Sequence, residues 1–370
     1  MYKIDLKKVQ LYNNNKHCLI KTETSIFKVI NNLIGLHSAR LITPFSTLNT
    51  RLDNFTPEEL ISETFTKNSL IKLRCMRTTL HTVNLDMAPI VHQSTKKIRN
   101  TLCLGILKKL NVDNSLIAKT EELIKNLLEE SELNSKEIEI YLTIKKNIHI
   151  NVTRAIIKKL WEDGIICYLN KSTYWGAEKR VYALTEKRYP TLFLEGISET
   201  ESLRKLIHIY IKQYGPVTEQ DIVWWTGLSV SLIRKSLEFL KKELCVIHIN
   251  EVKSAFFLLH DDLDSLEKTK NQDDFNNIKL LAYEDPFLKG YFESRSRYVL
   301  ENNYSKLFNP IGEARSSIIK NGMVVGLWKW NKKLNTVETE LFEKFSKTDT
   351  EILNNEIFKT IKCLSKNEKH

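Results

Sequence analysis

No stretch of the 370-residue chain approaches the roughly 18 to 20 consecutive apolar residues that cross a bilayer, although apolar residues make up 42% of it. The opening MYKIDLKKVQ has neither an apolar h-region nor a small-residue cleavage site, so the expected location is the cytoplasm. Cysteine is sparse and scattered: Cys18, Cys75, Cys103, Cys167, Cys245 and Cys363 never form a CxxC pair. That spacing argues against both a zinc site and a disulfide framework and leaves reduced thiols. No heptad seam runs through the chain, so a monomer is expected. The chain does have length for two or three domains and an excess of positive charge. Its 56 Lys and Arg against 45 Asp and Glu give a net charge of +11, with a pI of about 9.1. A polyanionic partner is therefore an expectation about association, not about fold.

One local plan recurs. In GPVTEQDIVWWTGLSVSLIRKSLEFLKKELCVIHINEVKSAFFLLH, Thr218 is an N-cap with Asp221 three residues on, and Gly227 closes the short helix. Ser229 caps a second helix whose Leu232, Ile233, Leu237 and Leu240 recur at helical spacing, with Arg234, Lys235, Lys241 and Lys242 largely on the other face. Two β-rich runs, 244–249 and 255–259, then read as a hairpin. Helix, tight turn, helix, hairpin is the winged helix-turn-helix plan. In the middle of the chain Ser135 starts a helix, Asn151 caps NVTRAIIKKLWEDG, and the strands IICYLN and RVYAL flank a longer wing, KSTYWGAEKR. Lys171, Lys179 and Arg180 with Trp175 at the tip suit a DNA backbone or minor-groove contact, the alternative for Trp175 being packing on its own domain. A third copy opens at Thr56-Pro57-Glu58-Glu59, with TPEELISETF as helix and LIKLRCMR and TLHTVNL as hairpin.

From 279 on the chain turns strand-rich. Asn321-Gly322 between two apolar runs signals a two-residue hairpin, which needs positive φ at both positions. Lys320, Lys329, Lys332 and Lys333 surround it, and Trp328 and Trp330 share a strand face, as core residues do. The tail CLSKNEKH reads as a solvated end. The expected fold is α+β and mainly α, with three tandem winged helices and a small C-terminal β-barrel or sheet. Segment boundaries fall at 1–110, 111–195, 196–270 and 271–370.

The segments GLHSARLITPFSTLNTRL, KLRCMRTTLHTV, LLAYEDPFLKGY and GLWKWN, together with the two later winged helices, resemble the AlkZ/YcaQ family of winged-helix DNA glycosylases. The resemblance runs from about Ile26 to Trp330 and is most specific at Met76–His81 and Asp285-Pro286-Phe287. It implies a concave surface gripping double-stranded DNA, a hairpin probing the minor groove, and monofunctional excision of alkylated, often bulky or crosslinked, bases without metal or organic cofactor. In the family the segment after the glycine at 35 carries two glutamines, or a glutamine and an aspartate, around one apolar residue. His37, Ser38 and Ala39 occupy those places, so the first polar position is kept in altered form and the second is lost.

Residues two apart share a side only in extended backbone, and Gly35 suits the helix break this requires. A base alkylated at a ring nitrogen is already cationic and departs neutral. The enzyme must then stabilise a sugar cation and hold a water. A free imidazole, with a pKa of about 6.5, is mostly neutral at pH 7 and can orient or partly deprotonate that water. Ala39 offers no oxygen. Two classes therefore stay open: a glycosylase restricted to labile cationic adducts, with His37 catalytic, and an inactive DNA-binding descendant or transcription regulator. For DNA contact the sequence offers Arg40 directly after the motif, Arg74 and Arg77 as phosphate clamps or partners of Glu58 or Glu59, and Thr79 and His81. The wing residues, Lys320 and Asn321 complete that set. Arg51 reads as structural, and Asp285 as a turn residue before proline.

Overall fold

The computed structural model describes residues 2–172, 174–269 and 276–365. It is mainly helical with small sheets, and the chain sorts into two packing units, Met1–Leu60 with Arg204–His370, and Ile61–Leu203.

In the first unit the plan read from residue 216 onward is present element by element. The Thr218 hydroxyl accepts the Asp221 N–H at 3.1 Å while the Asp221 carboxylate accepts the Thr218 N–H at 3.2 Å. This reciprocal cap starts the helix Glu219–Thr226, which ends on Gly227 at φ 74°. Ser229 caps the helix Val230–Leu240, and the strands Leu244–Ile249 and Val252–Leu259 pair antiparallel. A strand absent from the sequence reading, Tyr2–Ile4, joins them in parallel, Tyr2 opposite Ile247. Ile4, Val9 and Tyr12 then share a core with Ile247, Phe256 and Leu266.

The strand-rich region forms an antiparallel sheet in the order Thr336–Leu341, Met323–Asn331, Ser317–Lys320, Ile278–Leu281. It is an open sheet, so of the two expected forms the barrel is set aside. Asn321 and Gly322 make the two-residue turn at φ 53° and 87°, with Lys320 opposite Met323. A Cβ on Gly322 would lie 2.5 Å from the Asn14 amide nitrogen, so close approach as well as backbone angle demands glycine. The helix Lys347–Leu364 packs on the strand Ile278–Leu281 and on the helix Ile42–Arg51. This corrects part of the solvated tail: Cys363 and Leu364 are buried in that helix, while residues 366–370 lie outside the described residues.

In the second unit Asn134 and Glu137 form the capping box of the helix Ser135–Lys146. The next helix, Ile150–Glu162, starts one residue before the expected cap. A ring nitrogen of His149 accepts the Asn151 N–H at 3.2 Å, so His149 caps and Asn151 lies within the first turn. Expected as a single helix, TPEELISETF is the helix Pro57–Ile61 followed by a wider π-helical turn, Ser62–Thr66. Strands Leu70–Arg74 and Leu80–Asn84 pair as one hairpin and Ile166–Asn170 with Arg180–Leu184 as another. Ile138, Leu142, Ile156, Leu160, Ile166 and Tyr168 are among the residues that fill its core.

Candidate functional site

The helix Ile26–Asn32 stops because the next residues leave helical backbone: Ile34 lies at φ 55° and Gly35 at φ 103°. The Gly35 N–H reaches back to the Ile30 carbonyl at 2.8 Å and closes the helix end. The chain then runs extended through Leu36–His37. Burial alternates along it: Leu36 and Ser38 are buried, His37 is half-buried, and Ala39 is exposed. Ser38 turns inward, its hydroxyl donating to the Leu36 carbonyl at 2.8 Å, and His37 and Ala39 on either side of it are the less buried residues.

The helix Ile42–Arg51 clamps this segment. Every residue from Thr43 to Arg51 is buried, polar ones included, and several of the polar side chains find partners inside the fold. Thr43 donates to the Tyr283 carbonyl at 3.0 Å and Thr50 to the Leu280 carbonyl at 2.6 Å. Arg51, wholly buried, makes a two-pronged ion pair with Asp285 at 2.9 and 2.6 Å and donates to the His17 carbonyl at 2.9 Å. Asp285 also accepts the Phe287 N–H at 3.0 Å and caps the short helix Pro286–Lys289, the turn role expected of it. Its carboxylate is sealed from solvent.

The neighbouring residues act at the surface. The Arg40 guanidinium stacks 3.5 Å above the Tyr283 ring, and its Nη2 lies 3.9 Å from Glu313. Glu313 accepts from the Tyr283 hydroxyl and, at 2.8 Å, from Asn309. Those bonds, that from Tyr283 foremost, hold its carboxyl below the usual range, whereas burial and then Glu313 push the Tyr283 phenol up to about 12. Arg40 stands at the lip of a cavity of about 590 Å³ lined also by Thr43, Tyr283, Arg315, Trp328 and Trp330.

The glycine-broken extended segment is followed by a helix whose last residue, Arg51, is tied to Asp285, and Asp285-Pro286-Phe287 is one of the stretches where the sequence resemblance is most specific. The family profile of the AlkZ-like DNA glycosylases matches residues 30–358. The chain belongs to the AlkZ-like DNA glycosylase family. Its fold is similar to that of the Streptomyces sahachiroi DNA glycosylase AlkZ, with a TM-score of 0.79 and 17% identity over 98% of each chain. No curated protein matches it.

The remaining site candidates of this AlkZ-like chain divide between the two units. In the first, Lys320 and Asn321 are also engaged within the fold. Lys320 pairs with Asp349 at 2.7 Å, and Asn321 accepts the Asn277 N–H at 2.8 Å. Trp328 is core, as expected, its indole donating to the Leu281 carbonyl at 2.8 Å. In the second unit Trp175 is buried and packs against Tyr174, the alternative the sequence left open. Around it Lys171 pairs with Glu132 and Arg180 with Glu178 at 3.0 Å, while Lys179 is exposed. Arg74 lies 3.5 Å from Glu162, a carboxylate other than the Glu58 and Glu59 offered as the alternative to a phosphate. Arg77 and Thr78 both take positive φ at the hairpin tip, and the Thr79 hydroxyl donates to the Met76 carbonyl at 2.9 Å. The sequence reading missed Tyr283 and Glu313 altogether. Tyr283 directly precedes the Glu284-Asp285-Pro286 run, within LLAYEDPFLKGY, whereas Glu313 lies far along the chain and had no such signal.

His81 is partly buried, and its Nδ1 lies 3.3 Å from the Thr79 carbonyl. Burial, and to a lesser degree Arg77, lowers its pKa to about 4. Burial, then Arg99 and Lys96, lowers that of His92 to about 3. Against an unfolded value of about 6.5, the unfolded chain binds more protons than the folded one between pH 6.5 and 3. The stability these neutral rings permit is thus present above pH 6.5 and falls as pH drops through that window. Urea midpoints at pH 7.5, 5.5 and 4.5 should decline, and less steeply in a His81→Gln/His92→Gln variant. Parallel declines in both proteins would contradict this account.

Proposed function

We propose that this protein hydrolyses the N-glycosidic bond of alkylated, cationic bases in duplex DNA, bulky or crosslinked ones included, as a monofunctional glycosylase. It would act as a cytoplasmic monomer, holding the duplex with its three helix–hairpin units read as winged helices. The observation that carries the reading is the half-buried His37 closing an extended segment, at the position where the sequence resemblance implies the family's polar dyad. His37 orients or partly deprotonates the water that attacks the sugar carbon as the neutral base departs. Arg40 contacts the DNA backbone beside it, and the cavity that Arg40 borders supports room for an extruded base. Among the proposed contacts in the second unit, Arg74, Arg77, Thr79, His81, Lys171, Lys179 and Arg180 are retained.

The test is incubation with a duplex containing N7-alkylguanine, followed by alkaline cleavage of abasic sites. Strand breaks above a no-enzyme control are expected. Ala39 favours a second reading, a catalytically inactive DNA-binding protein or transcription regulator, because it supplies no polar group to the water. Lesion binding without breaks would select it. Under the first reading Ala39→Gln raises turnover, by up to about 10²-fold if the added amide recovers one preorganised contact. Position 39 is exposed and has room for the longer side chain. Unchanged or lower turnover in the folded variant would remove the positioning argument.

A further inference from the structure

In the second unit, two of the proposed DNA contacts, Arg74 and Arg180, converge with a lysine that the sequence reading did not single out, Lys72. Lys72 and Arg74, two apart on the strand Leu70–Arg74, face the same side. The strand Arg180–Leu184 brings Arg180 to the same pair of rings. Trp161 and Tyr168 lie 6.2 Å apart and within 25° of parallel. Lys72 Nζ is 4.5 Å from the Tyr168 centroid, and Arg180 is 5.1 Å from Tyr168 and 5.7 Å from Trp161. Arg74 is 5.6 Å from Trp161. Two carboxylates serve this group. Glu178 accepts from the Tyr168 hydroxyl at 2.5 Å and from Arg180 at 3.0 Å, and Glu162 lies 3.5 Å from Arg74 but also holds buried Arg99 at 3.0 Å.

Lys72 is left over. It is 8% exposed and, among the described residues, makes no hydrogen bond or ion pair, only its contact with the Tyr168 ring. Burial pulls its pKa to about 8, with Glu178 opposing and Arg180 adding to the fall. A lysine in that state is a cation short of negative charge. The Arg74 and Arg180 side chains are 37% and 39% exposed, so the cluster opens to solvent.

We infer that Lys72, Arg74 and Arg180, backed by the Trp161–Tyr168 ring pair, form a binding site for one phosphodiester of the DNA backbone. An incoming phosphate supplies the charge that Lys72 lacks. The two arginines offer planar donors at the rim, and the rings keep water from screening the contact. The site reads no base. It deepens the DNA reading and is independent of excision.

The experiment is binding of an undamaged duplex by the full chain across a range of chloride concentrations. Lys72→Met should lower the slope of log K against log salt by about 1, Lys72→Arg should keep it, and Arg180→Met should lower it likewise. An unchanged slope in folded Lys72→Met overturns the site. If that variant fails to fold, an unchanged slope in Arg180→Met does so instead. A parallel series in inorganic phosphate at matched ionic strength separates the sources. Release of duplex equal to that in chloride supports a backbone site. Markedly stronger release, absent in the variants, makes this a free-phosphate site and overturns the assignment. Because the duplex carries no lesion, a protein that excises nothing can still pass, and an active one can still fail.

Discussion

His37→Ala is expected to lower the single-turnover rate of N7-alkylguanine excision by about 10²–10³-fold, the usual cost of removing one preorganised polar group from a transition state. The ring is half-buried and closes a two-residue extended stretch. The stretch itself is held by the Gly35 turn, by the inward hydroxyl of Ser38 and by the buried helix Ile42–Arg51, none of which needs the imidazole. The variant should therefore unfold near the wild-type urea midpoint and bind lesion duplex with similar affinity, so that the loss appears in the chemical step alone. Single-turnover rates with protein in excess read that step directly. A loss below about threefold would remove His37 from the reaction, since general-base groups contribute about 10²-fold or more.

Asp285→Ala should destabilise the protein by about 3–5 kcal/mol, because Arg51 would keep its charge in a wholly buried place without its partner. Arg51→Met should cost a similar amount. The double substitution Arg51→Met/Asp285→Leu should cost clearly less than the two singles added, since no orphaned charge remains. Urea denaturation of the four proteins checks this, and simple additivity would refute it. The consequence reaches the site: Arg51 ends the helix that fixes residues 38–43, so the single variants should also lose excision at temperatures where they remain folded.

Local signals in the chain were readable and distant ones were not. Asn321-Gly322 announced its turn because few other pairs take positive φ twice, and the structure has φ 53° and 87° there. Thr218 with Asp221, Ser229, Gly227 and Gly35 could be read for the same reason, since a cap or a helix break is written within four residues. The Arg51–Asp285 pair spans 234 positions and left no local trace, so both residues were assigned structural roles without being joined. Lys320 looked like a surface cation beside a hairpin because nothing near it in sequence names Asp349. For Trp175, in a wing rich in lysine and arginine, the sequence left DNA contact and packing on its own domain both open, because burial depends on what packs over it. At the site, His37 was visible through its glycine, whereas Tyr283 and Glu313 become meaningful only once Arg40 lies across the ring.

The strand Tyr2–Ile4 hydrogen-bonds to a partner that begins at Leu244. At translation speeds of about 5–20 residues per second, the first strand waits on the order of 10–50 s before its mate leaves the ribosome. Through that interval Ile4 and Val9 lack the residues they pack against, and by its end residues 61–203 have been synthesised in full. A nascent chain stalled before residue 244 would present Ile4 and Val9 to chaperones, and the strand Tyr2–Ile4 would be among the last parts to find its place.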